Sequence, residues 1–389
     1  MRIMLLGFEL ESSNKGCEAL SYSIMSVLNS LKSFQPLEVV VINIHDSMGD
    51  FPKIYSDVKF TNIRMRVKRI EFWKRLKKEL KDCTAVIDIT HGDSFTDIYG
   101  KNWFATTTLV KTFIVNSKTP LILMPQTYGP FNTQWAVLWA KYVIKKADRI
   151  YTRDTLSYDY LKSLGIMKDV VNTLDLAFSL PYKKEDKVEE TINIGINISG
   201  LLWDDCEKEN RFGLKTNYCN YCRELINQLS QNPNFTIALV PHVLCDNREG
   251  EEFFENDSRA IRELMKEFPK CKFPNNFRTA LDIKNYIVNL DILVAARMHA
   301  SIAAYSAGVP VIPFSYSRKF EGVYEDLKYS YVVNGLKLST QEALVATLEY
   351  IDNREQLAKN EIPGRNKLQA LQSEFVKDFA STLELLRKK

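Results

Sequence analysis

Arg297 and His299 stand two residues apart in "DILVAARMHASIAAYSAGVPVIPF", at the point where one apolar run ends and before the next begins. In an extended segment alternate side chains share a face, so the spacing predicts Arg297 and His299 pointing one way and Met298 into the core. A guanidinium grips carboxylate or phosphate through paired charge-assisted hydrogen bonds, and an imidazole gives or takes a proton near neutral pH. Ser301 is expected to cap a short helix, Ala300 to Ala307, that Gly308 ends; its amino terminus would add N–H donors for an anion. Singly, such an arginine is most often a surface ion pair and such a histidine a structural residue. Together at a strand's carboxyl end, they read as an anion-binding proton donor.

Other polar groups fall at strand ends. The segment "FSYSRKFEGV" reads as a loop carrying Ser315, Tyr316, Arg318 and Lys319, with one of its cations facing the same crevice and Tyr316 and Lys319 as substrate contacts. Asn14 and Lys15, before Gly16 at the start of a helix, suit phosphate or sugar hydroxyls. In "MPQTYGPF", Gln126 and Tyr128 either bond a polar ligand or belong to a plain turn. His91 and Asp93 in "DITHGDSFTDIYG" read as an acid-base pair, as binders of sugar hydroxyls, or as a turn. In "RIYTRDTLSYDYLKSLGI", Asp154 caps a helix and Arg153 projects from the strand end. No GxGxxG or Walker A segment occurs, which argues against the nucleotide cofactors those loops hold. Cys219 and Cys222 have CxxC spacing without a second pair, so no metal and no cofactor is expected.

The elements that must carry these residues alternate short apolar runs with amphipathic helices, the pattern of doubly wound parallel sheets. Strands are read in "RIMLLGF", "LEVVVINI", "TAVIDIT", "PLILMPQ" and "RIYTRD", then in "INIGINI", "FTIALVPH", "DILVAA" and "VPVIPF". A polar stretch at 181–191 reads as a linker. The expected fold is α/β, two Rossmann-like domains facing a cleft: 1–180 on the acceptor side, 192–363 on the donor side, and a C-terminal helix, 364–389, packing back on the first. At 389 residues, with 45% hydrophobic and 26% charged residues, the chain fits two soluble domains. A net charge of +4 gives no case for nucleic acid. Seven cysteines, an odd count, suit reduced thiols. A polar start and no long apolar run predict a cytoplasmic protein. Residues 64–81 hold nine Lys or Arg against two Glu, with Ile70, Trp73, Leu76 and Leu80 at helical spacing. That basic helix, with a Phe72-Trp73 anchor, reads either as a solvated face or as a peripheral contact with anionic membrane.

The chain resembles the polysaccharide pyruvyl transferase family over nearly its whole length, through "NKGCEAL", "PQTYGPF", the Arg153 segment with "TLDLAFSLP", and the Arg297 segment. Its "HGDSFTD" departs from the glycine-rich loop usual after the third strand. The resemblance implies a pair of Rossmann domains of the GT-B kind and transfer of the pyruvyl group of phosphoenolpyruvate to two hydroxyls of a sugar. The acceptor it implies is a lipid-linked or cell-surface glycan, and the product a cyclic ketal. By position, His299 matches the family's catalytic histidine, and Arg297 and Arg153 match its donor-binding arginines. The rival expectations are a GT-B glycosyltransferase using a nucleotide sugar and a non-catalytic glycan-binding protein.

Overall fold

A computed structural model describes residues 1–166, 168–185, 191–208, 210–244 and 255–388. The chain forms two compact units. The first holds Met1–Ser12, Leu20–Ser179 and Gln369–Lys389; the second holds Ser13–Ala19 and Leu180–Leu368. A seven-residue loop and helix start groups with unit 2, and the last helical segment groups with unit 1.

In unit 1 the elements run β1 (Arg2–Leu6), α1 (Lys15–Ser30, its first turn within unit 2), β2 (Glu38–Asn43), α2 (Phe51–Ile54), β3 (Lys59–Arg64), α3 (Ile70–Leu80) and β4 (Ala85–Asp88). There follow α4 (Lys101–Val115), β5 (Leu121–Gln126), α5 (Gln134–Lys146), β6 (Arg149–Thr152), α6 (Thr155–Ser163) and β7 (Val170–Asn172). The sheet order is β3-β2-β1-β4-β5-β6-β7, and every pairing is parallel. Strands β4 and β5 are buried throughout. Continuous apolar runs are what a parallel sheet covered on both faces needs.

Unit 2 continues with β8 (Ile192–Asn197), α7 (Gly200–Lys208), α8 (Tyr218–Leu229), β9 (Phe235–Val240), α9 (Asp257–Glu267), α10 (Ala280–Ile287), β10 (Ile292–Ala295) and α11 (Met298–Ala307). It closes with β11 (Val311–Ser315), α12 (Arg318–Asp326), β12 (Val333–Asn334), α13 (Thr340–Asp352) and α14 (Arg354–Arg387). Its parallel sheet has the order β12-β11-β10-β8-β9. Both units are therefore Rossmann-like α/β structures, as expected.

Four sequence expectations are corrected. The basic helix spans only Ile70–Leu80, because Arg64 ends β3. Its inward stripe is Phe72, Leu76 and Leu80, while Ile70 is 60% exposed. Burying each of those three contributes about 2 kcal/mol. Trp73 donates its indole N–H to Val67 O at 2.8 Å and packs on Phe113, so the aromatic pair is held by the fold. Second, "FSYSRKFEGV" is not a loop, since Arg318 already begins α12. Third, the last helix starts at Arg354 and not at 364, and it carries Pro363 inside it. Its carboxyl half joins unit 1 through Asp378, which accepts from Arg149 Nε at 3.0 Å, Arg149 Nη2 at 2.6 Å and the Tyr151 hydroxyl at 2.6 Å. Fourth, Cys206 and Cys219, with Cα atoms 6.3 Å apart, form a disulfide where adjacent helices α7 and α8 bring them together. Reduced thiols do not hold for that pair. Of the linker, 181–185 is exposed and 186–190 lies outside the described residues.

Candidate functional site

Helix α11 begins immediately after Arg297, which is its N-cap. The backbone is helical from Met298 on, so the alternation of an extended strand does not apply, and His299 sits in the first helical turn. The cap expected of Ser301 is not formed. Ser301 lies a turn further in, fully buried, and donates its hydroxyl to Met298 O at 2.6 Å. Gly308, at φ 74°, ends the helix in the left-handed conformation that glycine adopts without strain.

Arg297 is 8% exposed. Its Nε and Nη2 donate to Asp257 Oδ1 at 3.2 and 2.7 Å, and Nη2 also reaches Glu255 O at 2.9 Å. Nη1 stands 3.7 Å from Glu255 Oε2, beyond hydrogen-bond reach. Burial opposes the charge most, but Asp257, Tyr316 and Glu255 together outweigh it and keep the guanidinium firmly protonated. Asp257, the first residue of α9, also accepts from Gly200 N at 2.7 Å, His242 N at 2.9 Å and Val243 N at 2.8 Å. Asn197, ending β8, accepts from Arg297 N at 2.8 Å and donates to Val240 O at 2.9 Å. Three strand ends are thus tied around one arginine.

The "NKG" segment belongs to this cluster. Lys15 N donates to His242 O at 3.1 Å, and Asn14 Oδ1 accepts from Gly16 N at 3.0 Å. A Cβ at Gly16 would overlap the His299 imidazole, so glycine is required there by close approach. Lys15 is buried and pairs with Glu18 Oε1 at 3.2 Å, while Glu18 Oε2 accepts from Ala280 N at 2.6 Å. The expected phosphate-binding charge is therefore answered within the chain. His242 is wholly buried; that burial, then the charges of His299, Arg297 and Lys15, holds its pKa well below the usual value, so it is neutral. Tyr316 is half-buried, edge-on to Phe212 with centroids 5.5 Å apart. The side chains of Arg318 and Lys319 lie outside the described residues.

In unit 1, Asp154 caps α6, accepting from Ser157 N at 2.7 Å. Arg153 does not project: it is 3% exposed and bonds Asp175 Oδ2 at 3.1 Å and Asp154 Oδ2 at 3.4 Å. Gln126 and Tyr128 are likewise interior. Gln126 Nε2 lies 3.4 Å from Asp88 Oδ2, and the Tyr128 hydroxyl donates to Tyr151 O at 2.9 Å. Desolvation favours partners within the chain for such groups, although Gln126 Oε1 is buried without one among the described residues. His91 Nδ1 lies 2.8 Å from Glu9 Oε1, and Asp93 Oδ2 accepts from the Tyr99 hydroxyl at 2.9 Å. Thr90, His91 and Gly92 have φ of 40°, 56° and 85° in succession, a strained turn of the kind that collects at working sites. A cavity of about 1020 Å³ opens elsewhere, lined by Trp73, Leu80, Phe113 and Thr119. Those residues lie at the ends of α3 and α4 and before β4 and β5, at the amino edge of the sheet. Ligands of such folds collect at the carboxyl edge of the sheet, the edge at which Arg297 and His299 stand.

Asp257, Asn197, His242 and Glu9 escape a reading of the sequence. His242 ends the strand "FTIALVPH", which is the only hint it gives. Asp257 lies 40 positions before Arg297, and nothing local marks the pair.

The sequence matches the polysaccharide pyruvyl transferase family over residues 14–318. It is similar to the amylovoran biosynthesis protein AmsJ of Erwinia amylovora, 20% identical over 307 residues covering 74% of this chain and 70% of that protein. Among solved structures it is similar to UDP-GlcNAc 2-epimerase from Neisseria meningitidis bound to UDP-GlcNAc (TM-score 0.61, 14% identity, 98% of this chain and 99% of that one). It is also similar to Anabaena HepE in complex with UDP (0.60, 11%, 98% and 100%) and to Acinetobacter baumannii MurG (0.53, 11%, 100% and 99%). At such identities the likeness is one of fold, and it extends over both units. With a match covering most of its length, the chain belongs to the polysaccharide pyruvyl transferase family.

Proposed function

We propose that this pyruvyltransferase of polysaccharide biosynthesis takes phosphoenolpyruvate as donor and forms a cyclic pyruvate ketal on two hydroxyls of a lipid-linked glycan precursor. The donor carries a phosphate and a carboxylate. Arg297 answers one through its Nη1 edge, and the first-turn N–H groups of α11, which have no acceptor within the helix, suit the other. His299 gives its proton to the methylene carbon, which becomes a methyl group and leaves positive charge on the carbon bearing phosphate. A sugar hydroxyl bonds to that carbon, the carbon–oxygen bond to phosphate breaks, and the second hydroxyl closes the ring. Of the two hydroxyl protons, one restores His299 and the other leaves with phosphate.

The observation that carries this reading is the position of His299 in the first turn of α11, directly after an arginine whose charge and orientation Asp257 fixes. His242, kept neutral, does not compete as a cation. A bound dianion would favour protonated His299, so donor binding arms the acid. The test is a thermal-shift series with phosphoenolpyruvate against UDP and UDP-sugars. Stabilisation by phosphoenolpyruvate supports the reading; stabilisation by the nucleotides alone replaces it with sugar transfer. We further propose that the enzyme works in the cytoplasm and meets its acceptor at the membrane surface. No described helix is long and apolar enough to cross a membrane.

A further inference from the structure

Helix α5 is apolar on both sides. It buries Ala136, Ala140, Val143 and Ile144 and turns Trp135, Leu138 and Tyr142 outward. Steps of three and four residues put those three on one stripe. Leu138 is 68% exposed, and Leu109 on neighbouring α4 is 41% exposed. A helix packed by one face normally fills the other with polar residues; Trp135 here packs edge-on against buried Phe104, but Leu138 is left largely to solvent. The two helices adjoin through Trp139 Nε1, which donates to Thr112 Oγ1 at 2.7 Å, and the Tyr142 hydroxyl, which donates to Asn116 Oδ1 at 2.7 Å. Leu109 and Asn116 in turn border the cavity of about 1020 Å³ between α3 and α4, whose lining includes Trp73 and Phe113 and whose rim carries Lys77, Lys81 and Lys118. Lys145 and Lys146 stand at the end of α5. Among the described residues, none of these lysines pairs with a carboxylate.

Lysines near helix carboxyl ends complement the macrodipole, which accounts for each of them singly. It does not account for an apolar stripe and groove beside them. A second copy of the chain meeting this face about a two-fold axis would present the same cationic patch and bring no opposite charge. An anionic bilayer brings the opposite charge, and an interface where Trp and Tyr sit at the headgroups and Leu below them. We propose that the outer face of α4 and α5, with the groove beside α3, docks on anionic phospholipid. The contact serves the membrane-borne acceptor proposed above, yet vesicle retention requires no donor and no turnover, so either reading can fail while the other stands.

The experiment is co-sedimentation with phosphatidylcholine vesicles with and without phosphatidylglycerol, at low and high salt. The full chain is retained only by phosphatidylglycerol vesicles and is released by salt. Leu138→Glu, at an exposed position, lowers retention about tenfold or more, as does Lys145→Glu with Lys146→Glu. The same charge change on unit 2, Lys266→Glu with Lys270→Glu, leaves retention unaltered. The proposal is overturned if the full chain ignores anionic vesicles, if both α5 variants bind as it does, or if light scattering finds a dimer that Leu138→Glu dissociates.

Discussion

Asp257 Oδ1 lies 2.7 Å from Arg297 Nη2 and 3.2 Å from Arg297 Nε, both inside unit 2. Asp257 thereby holds the Nε and Nη2 side of the guanidinium, while Nη1 is 3.7 Å from Glu255 Oε2, an ion pair without a hydrogen bond. Because Asp257 also receives backbone N–H groups of Gly200, His242 and Val243, removing it strands several buried donors. Asp257→Ala should cost about 3–5 kcal/mol by chemical denaturation. Asp257→Asn keeps the shape but not the charge, and should weaken phosphoenolpyruvate binding more than it lowers the melting temperature. Calorimetric titration and melting on the same sample check this.

His299→Gln should lose roughly 10²–10⁴-fold in turnover, the usual worth of a positioned general acid, with donor affinity within a few fold of the parent. Single-turnover phosphate release and equilibrium binding separate the two effects. A variant that releases phosphate at the parent rate removes His299 from the proposed chemistry.

Gly16→Ala adds one methyl group where the His299 imidazole lies. Either the helix start or the imidazole must shift, so turnover should fall at least about tenfold, a cost expected of even small misplacement. Assay beside Gly213→Ala, whose methyl would meet no atom within 4 Å but whose φ of 65° strains an alanine, compares crowding at the imidazole with backbone strain alone.

Glu361 accepts from Val311 N at 3.1 Å and from the Tyr329 hydroxyl, and its burial pushes its carboxyl up to about 7 from 4.5. The folded protein holds a proton there that the unfolded chain gives up above 4.5. Stability from this group is complete below that value and falls as pH rises to about 7, by on the order of 3 kcal/mol. Glu361→Gln should flatten the melting profile between pH 5 and 7. Lys284, which burial lowers to about 7 from 10.5, acts with the opposite slope above that range and does not blur the comparison.

Much of the fold was legible because parallel strands buried on both faces need continuous apolar runs, and β1, β2, β4, β5, β8, β9 and β10 have them. Strand β3 was not: "KFTNIR" lies at the sheet edge with only Ile63 buried, so the period-two signal is faint. Arg297 and His299 were legible as a pair, since a basic residue and an imidazole interrupt an apolar context. Their partners were not. Asp257 and Asn197 act across 40 and 100 positions, and a carboxylate at a helix start looks the same whether it caps the helix or holds an arginine. Ser301 was misread for the complementary reason: its cap reading assumed a helix starting at Ala300, but α11 starts two residues earlier and buries it.

The measurement that bears most directly on the account is mass analysis of synthetic glycosides incubated with the full chain and phosphoenolpyruvate, with phosphate counted in the same vessel. The account predicts one phosphate released per glycoside gaining a pyruvate ketal, and neither product with His299→Gln. Phosphate without ketal, or a glycoside extended by sugar from a nucleotide donor while phosphoenolpyruvate is untouched, would contradict it.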